Sequence, residues 1–201
     1  MRSLLRSLHK PIYEYRQQVL VQLVSPHLKS GERVLDVGCG FGHLGRALMD
    51  YSSNTVRVEG AESVPRGGEL IPVTATGGNS LPWPDRTFDA VILADVLHHD
   101  PTPERLLRET ARVSNRLVIV KDHLREGFLA RERISLIDWA ANAGYNVPCL
   151  YRYNSLPEWR VLVGHLALSV VEERTSIDIY PPFLNGLLGK GLHYFVVFER
   201  A

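Results

Sequence analysis

The sequence has little sulfur, little net charge and no long apolar run, and each shortage excludes something. Its two cysteines, Cys39 and Cys149, have no CxxC spacing. That rules out a disulfide scaffold and a thiolate zinc site, and makes a reducing cytoplasm the expected location. No stretch approaches the roughly 20 apolar residues of a membrane-spanning helix. The opening MRSLLRSLHK is too short in apolar residues to read as a secretory signal. Lys and Arg number 23 against 22 Asp and Glu, a net charge of +1. Phosphate backbones call for concentrated basic charge, so no nucleic-acid partner is expected. There is no internal repeat or low-complexity tract. What is present is a 201-residue chain that is 45% apolar, enough for a single core in one domain.

Five short β-rich runs punctuate the first two thirds: 33–37, 55–60, 70–74, 89–93 and 117–121. Several are almost wholly apolar, as parallel strands buried on both faces are. Helical stretches lie between them. His43–Asp50 places Leu44, Ala47 and Leu48 on one face, and Thr102-Pro103 opens a helix that carries Leu106, Leu107 and Ala111 inward. Further on, Arg131–Asn142 reads as a helix, and Ser155 to Glu158 has capping-box spacing for another. Leu168–Glu173 and Leu192–Glu199 read as two closing strands. The Pro/Gly-rich link between them (Pro181, Pro182, Gly186, Gly189, Gly191) shows no clear crossover helix, which favours an antiparallel pair. Residues 186–191 also read as a plain loop.

The alternation predicts an α/β, Rossmann-like, doubly wound and mostly parallel seven-stranded sheet, with an antiparallel C-terminal strand and helices on both faces. One domain spans 1–201: a helical cover at 1–29, a core at 30–123, and pocket-shaping helices with closing strands at 124–201. The first 24 residues read as two helical pieces broken near Pro11, lying over the domain. Peripheral membrane contact through them is the lesser reading.

The most informative segment is Asp36-Val37-Gly38-Cys39-Gly40-Phe41-Gly42-His43. A buried strand ends in a carboxylate, turns on three glycines and enters a helix. Such glycines permit φ > 0 and close backbone approach, and the helix start offers unpaired N–H groups. A dinucleotide fingerprint would need a third glycine where His43 stands, and no Gly-Lys-Ser/Thr follows for a P-loop. Asp36 would repel a pyrophosphate but suits a cationic α-amino group. Glu62, at the tip of the second strand, is placed for a bidentate grip on ribose hydroxyls. Residues 63–69, with Pro65, Gly67 and Gly68, are too few for a crossover helix, so a degenerate turn and a poor third strand are expected.

VLDVGCGFG, then VEGAE, then LPWPDRTFDAVILADVLHH and the strand LVIV, in that order over about residues 30–123, resemble the class I S-adenosylmethionine-dependent methyltransferases. The similarity is to the type 11 group, which includes quinone and small-molecule methyltransferases. The tail resembles a subgroup in which Lys121-Asp122-His123, Asp138-Trp139 and Tyr151-Arg152-Tyr153-Asn154 have counterparts. The resemblance implies S-adenosylmethionine as cofactor and S-adenosylhomocysteine as product. It implies that Asp36, Gly38, Cys39, Gly40 and Gly42 hold the methionine end and Glu62 the ribose. Gly78, Asn79, Ser80 and Leu81 would border the adenine, and Ala94, Asp95 and Val96 would flank the methionine near the sulfonium. Many relatives carry an Asp where this chain has Gly77-Gly78, with Asn79 as a substitute through its amide.

Methyl transfer from a sulfonium is an in-line displacement in which the protein mainly aligns the partners. A base helps where the acceptor must lose a proton. The candidates are His98, His99 and His123, with Asp122 beside the last, and His123 is the first choice. The chemistry needs no metal, and without a His-x-x-x-His spacing a metal site of these histidines and aspartates is the lesser reading. Phe128, Trp139, Tyr145, Tyr151 and Tyr153, with Arg125, Arg131, Arg133 and Arg152, would shape a pocket for a small or lipid-like acceptor. Trp139 reads as core. The alternative to an enzyme is a non-catalytic cofactor-binding or partner protein on the same fold. A nucleic-acid methyltransferase lacks the Asn/Asp-Pro-Pro-aromatic pattern after the fourth strand, and a nicotinamide oxidoreductase lacks its third glycine.

Overall fold

The computed structural model describes residues 2–77, 80–142, 149–166 and 168–200. Strand β1 (Arg33–Val37) pairs in parallel with β2 (Arg57–Glu62) on one side and with β4 (Phe88–Ala94) on the other. The short β3 (Val73–Ala75) extends the β2 edge, and β5 (Ser114–His123) continues beyond β4, both in parallel. Strand β7 (His193–Glu199) runs antiparallel between β5 and β6 (Ser169–Arg174). The order is β3-β2-β1-β4-β5-β7-β6.

Side chains alternate across this sheet with period two, so each face receives its own core. Leu35, Val91, Leu93, Val118, Val120 and Phe198 point to one side. There they meet Leu106 and Leu107 of α3 (Pro103–Val113) and Trp159 and Leu162 of α5 (Leu156–Gly164). Val34, Val58, Ala90, Ile92, Ile119 and Val197 point to the other, against α1 (Arg2–Val24) and α2 (His43–Tyr51). α4 (Ala130–Asn142) buries Ala130 and Ile134 against Tyr153 and Leu192.

Four expectations need correction. α1 is one helix, not two. Pro11 removes one backbone N–H from the ladder, but the turns after it are anchored in the core by Leu20, Val21, Leu23 and Val24. The 181–191 link contains a short helix, α6 (Pro182–Leu188), begun by Pro182 and closed where the Gly189 and Lys190 N–H groups both donate to the Asn185 carbonyl. Gly186 therefore sits in a helix and not in a loop. Trp139 is 56% exposed and Asp138 is buried instead, because Asp138 follows Ile134 by four residues and shares its inward stripe. Strand β3 begins three residues late: the Leu70 N–H donates to the Phe41 carbonyl, and Pro72 has no N–H to give. The 63–69 connection holds no helix, as its length requires. The second half of α1 is packed on the sheet, while the side chains of its first residues lie outside the description. No helix among the described residues is long and apolar enough to cross a membrane.

Candidate cofactor and acceptor site

The parallel strands deliver their carboxyl ends to one rim, where open α/β sheets bind ligands. At β1 the glycines take φ of 70° (Gly38), 58° (Gly40) and 76° (Gly42). Two of them are there because neighbours crowd them. A Cβ on Gly38 would lie 2.6 Å from Val96 Cγ2, and one on Gly42 2.5 Å from Ile71 Cγ1. Gly40 differs: the nearest atom to its Cβ position is the Arg66 guanidinium carbon, 3.7 Å away. Only the end of the Arg66 side chain lies over Gly40, and Glu62 faces the same turn, accepting the Gly40 N–H at 2.9 Å and the Ser63 N–H at 3.0 Å. Asp36 lies beneath, 3% exposed. Burial, then the charge of Glu62, push its carboxyl up to about 7 against the pull of the Gly45 N–H. This is an electronegative pocket edged by the Arg66 guanidinium, with Asp36 and Glu62 placed for a ligand amine. Cys39 packs under Gly60, and burial with the Asp36 and Glu62 charges pushes its thiol up to about 12, so it is no nucleophile.

The adenine side is less complete. Ser80 is exposed and the Leu81 side chain is buried. The Leu81 N–H donates to Glu109 at 3.1 Å and its carbonyl accepts from Arg112 at 3.0 Å, so α3 takes both backbone groups. Gly78 and Asn79 lie outside the described residues. At the end of β4, Ala94 leads into Asp95 at φ 57°, and Val96 covers Gly38. The Asp95 carboxylate bonds Lys121 Nζ at 2.6 and 2.9 Å and also Arg16 of α1. Burial opposes its charge, but the two cations hold it well below the usual carboxylate range. Its side chain thus ties α1 to β5.

The four candidate catalytic residues come together beyond β4 and β5. Leu97–His99 form a single 3-10 turn. The Asp122 carboxylate accepts the Leu97 and His123 N–H groups at 3.0 and 2.6 Å, and lies 2.6 Å from His98 Nδ1. Asp138 Oδ1 stands 3.6 Å from both His98 Nε2 and His99 Nε2, while its Oδ2 accepts the Tyr153 hydroxyl at 2.7 Å. Burial favours a neutral His98 ring, yet Asp122 and Asp138 on its two sides hold its pKa up at about 10. His123 has the opposite fate. Burial, then the His98 charge, push it down to about 3, and its Nδ1 has no partner. His99, 20% exposed at its side chain, is the most open of the three. A cavity of about 200 Å³ borders this cluster, lined by Leu97, His98, Asp122, Arg152, Tyr153 and Trp159 among others. Tyr145 lies outside the described residues, and Tyr151 and Phe128 are exposed.

Three participants were not marked as site residues from sequence. Asp138 could have been found, since an acid four residues after a buried isoleucine interrupts an apolar stripe. Tyr153 was named only as pocket surface, without its bond to Asp138. Arg16 offered no signal: its partner is 79 residues away.

Comparison with known proteins agrees with this architecture. Residues 35–116 match the methyltransferase-domain family of type 11. The methyltransferase YcgJ of Bacillus subtilis is 25% identical over 146 residues, 67% of this chain and 56% of YcgJ. The ubiquinone/menaquinone biosynthesis C-methyltransferase UbiE of Neisseria meningitidis is 31% identical over 99 residues, 43% of this chain and 40% of UbiE. The chain spans about half the length of these curated relatives. A solved S-adenosylmethionine-dependent methyltransferase from Thermotoga maritima superposes with a TM-score of 0.67 at 21% identity, over 98% of this chain and 93% of that one. At that identity it speaks for the fold.

Proposed function

We propose that this chain is an enzyme transferring the methyl group of S-adenosylmethionine to a small or lipid-like acceptor by in-line displacement. The observation that carries the reading is the glycine turn at Gly40, covered only by the Arg66 head, between a buried Asp36 and a facing Glu62. Its neighbours Gly38 and Gly42 are closed by core packing, whereas the group over Gly40 is the flexible Arg66 head, which a ligand can displace. When bound, the cofactor supplies a methyl already activated on a sulfonium.

The chain's residues then have these parts. Asp36 favours the cationic α-amino group. Gly40 lets the backbone come close to the methionine end. Glu62 exchanges its bond to the Gly40 N–H for ribose hydroxyls. Val96 and the backbone at Asp95 border the methyl, and the cavity beside His98, Arg152 and Tyr153 receives the acceptor. An acceptor proton leaves at the His99 end of the cluster. His98 serves as a fixed cation between two carboxylates. His123, buried and held neutral, positions the rings around it.

Calorimetry with S-adenosylhomocysteine on wild type and Glu62→Ala tests the cofactor site, followed by mass spectrometry of a small-molecule acceptor panel with S-adenosylmethionine. Micromolar binding, weakened at least about tenfold (about 1.4 kcal/mol) in the variant, is expected. No binding by folded wild type ends the reading. Binding without turnover on any acceptor turns it toward a cofactor-binding partner protein.

A further inference from the structure

We propose that His98, His99 and Asp138 form a binding site for a divalent transition-metal ion. The inference rests on the geometry of the cluster and not on the cofactor reading.

Asp138 Oδ1 lies 3.6 Å from His98 Nε2 and 3.6 Å from His99 Nε2. That is longer than a good hydrogen bond, which closes to about 3 Å. It is the separation of two ligands sharing one ion: bonds of about 2.0–2.2 Å at a tetrahedral angle leave neighbouring donors about 3.4 Å apart. One ligand atom from each of these three residues lies within 4.8 Å of the other two.

The surroundings are built as an outer shell should be. A ligating imidazole donates its second N–H to a carboxylate, which sets the tautomer and aims the other nitrogen. His98 does this through Nδ1 to Asp122, at 2.6 Å. Asp122 is itself fixed by the Leu97 and His123 N–H groups. The ligating carboxylate is also held, since the Tyr153 hydroxyl donates to Asp138 Oδ2 at 2.7 Å. Both carboxylates are 1% exposed, and two buried anions beside one imidazole call for positive charge. Without a metal the His98 proton supplies it; a bound dication would take that proton's place at Nε2.

The donor set selects the ion. Two imidazoles and one carboxylate suit zinc, iron(II), cobalt(II) or manganese(II), whereas magnesium and calcium prefer all-oxygen sites. Three protein ligands leave a coordination position, and the partly exposed edge at His99 is where it falls. An acceptor hydroxyl or thiol bound there would lose its proton more readily. A second grouping, Asp95, His98 and His123, also converges, but Asp95 is already held by Lys121 and Arg16. Sequence spacing hid the site because its ligands are two adjacent histidines and an aspartate on a distant helix.

The test is a titration of the chelator-treated full chain with Co²⁺ alone, read by visible absorption, with Zn²⁺ displacement afterwards. Wild type is expected to bind a single ion. Asp138→Asn and His99→Ala should each weaken binding by more than about a hundredfold, and Tyr153→Phe by about ten- to a hundredfold, as loss of an outer partner does. Thermal unfolding confirms that each variant is folded, and His99, at the open edge, is the safer of the first two. Folded wild type that takes no Co²⁺ overturns the proposal, as does binding unchanged in both ligand variants. S-adenosylhomocysteine calorimetry on the same samples separates the readings: lost cofactor binding with Co²⁺ binding intact strikes the methyl-transfer proposal and leaves the metal site standing.

Discussion

The glycine turn and the histidine cluster sit on the same rim, yet they are made in opposite ways. The turn is nearly all local. Residues 36–42 carry its carboxylate, its positive φ angles and its helix start, and Val96, Ile71, Glu62 and Arg66 close around them from elsewhere. The cluster is assembled at long range. Its hub, Asp122, meets a ring from the turn after β4, and its other carboxylate arrives on α4. A local device should tolerate loss of function without loss of fold. A long-range one should not, because its polar groups are buried and depend on each other.

The largest effect that sharpens this contrast is on Asp122. Asp122→Ala leaves the His98 ring and the N–H groups of Leu97 and His123 without their acceptor. It should cost about 3–5 kcal/mol of stability in urea denaturation. A cost below about 1 kcal/mol would show that the cluster is not coupled to the fold.

Next comes Gly40→Val. It puts a side chain into the cradle, where only the Arg66 head now lies, and should weaken S-adenosylhomocysteine binding by at least about a hundredfold, about 2.7 kcal/mol. Its stability cost should be only the strain at φ 58°, about 1–2 kcal/mol. Gly38→Val, which drives into Val96, should lose both binding and stability. Equal behaviour of the two variants would break the distinction between a cradle and a packed turn.

A smaller effect lies in the acid limb of the stability curve. The folded pKa of His123 is depressed to about 3. Its contribution is therefore present above the unfolded value near 6.5 and is lost as pH falls toward 3. His123→Phe should reduce the slope in that window by up to about 1.4 kcal/mol per pH unit. His193, also lowered by burial, keeps its own share. His98 works in reverse: raised to about 10, it supports folding below about 6.5 and loses that support as pH rises toward 10.

The smallest is a fraction of a proton. With Asp36 near 7, docking of a cationic amine at pH 6 should expel its proton. Binding enthalpies of S-adenosylhomocysteine should then depend on the buffer's ionisation heat in wild type and not in Asp36→Asn. Identical slopes would place the amine elsewhere.

How far the sequence could be read follows the same division. β1 was legible to the residue because an apolar run ends at a glycine turn, and the Ser155–Glu158 box was legible because its Glu158 carboxylate reaches back only three residues to the Ser155 N–H, at 2.7 Å. The continuity of α1 through Pro11 was not, since anchoring by the sheet outweighs the missing hydrogen bond. The exchange of Trp139 for Asp138 on the inward face was not either: hydrophobicity alone puts the indole inside, and only the partners of Asp138 justify burying a carboxylate.

The sequence by itself determined the order of strands and helices, the turn that needs three glycines, and the acids at the strand tips. Those follow from period, local sterics and chain adjacency. The tertiary structure alone decided which of two chemically identical imidazoles, His98 and His123, carries charge. His98, between two carboxylates, keeps its proton, and His123, buried beside that cation, gives its own up. Protonation is set by burial and by charges within a few ångströms, and folding brings those charges from residues far apart along the chain.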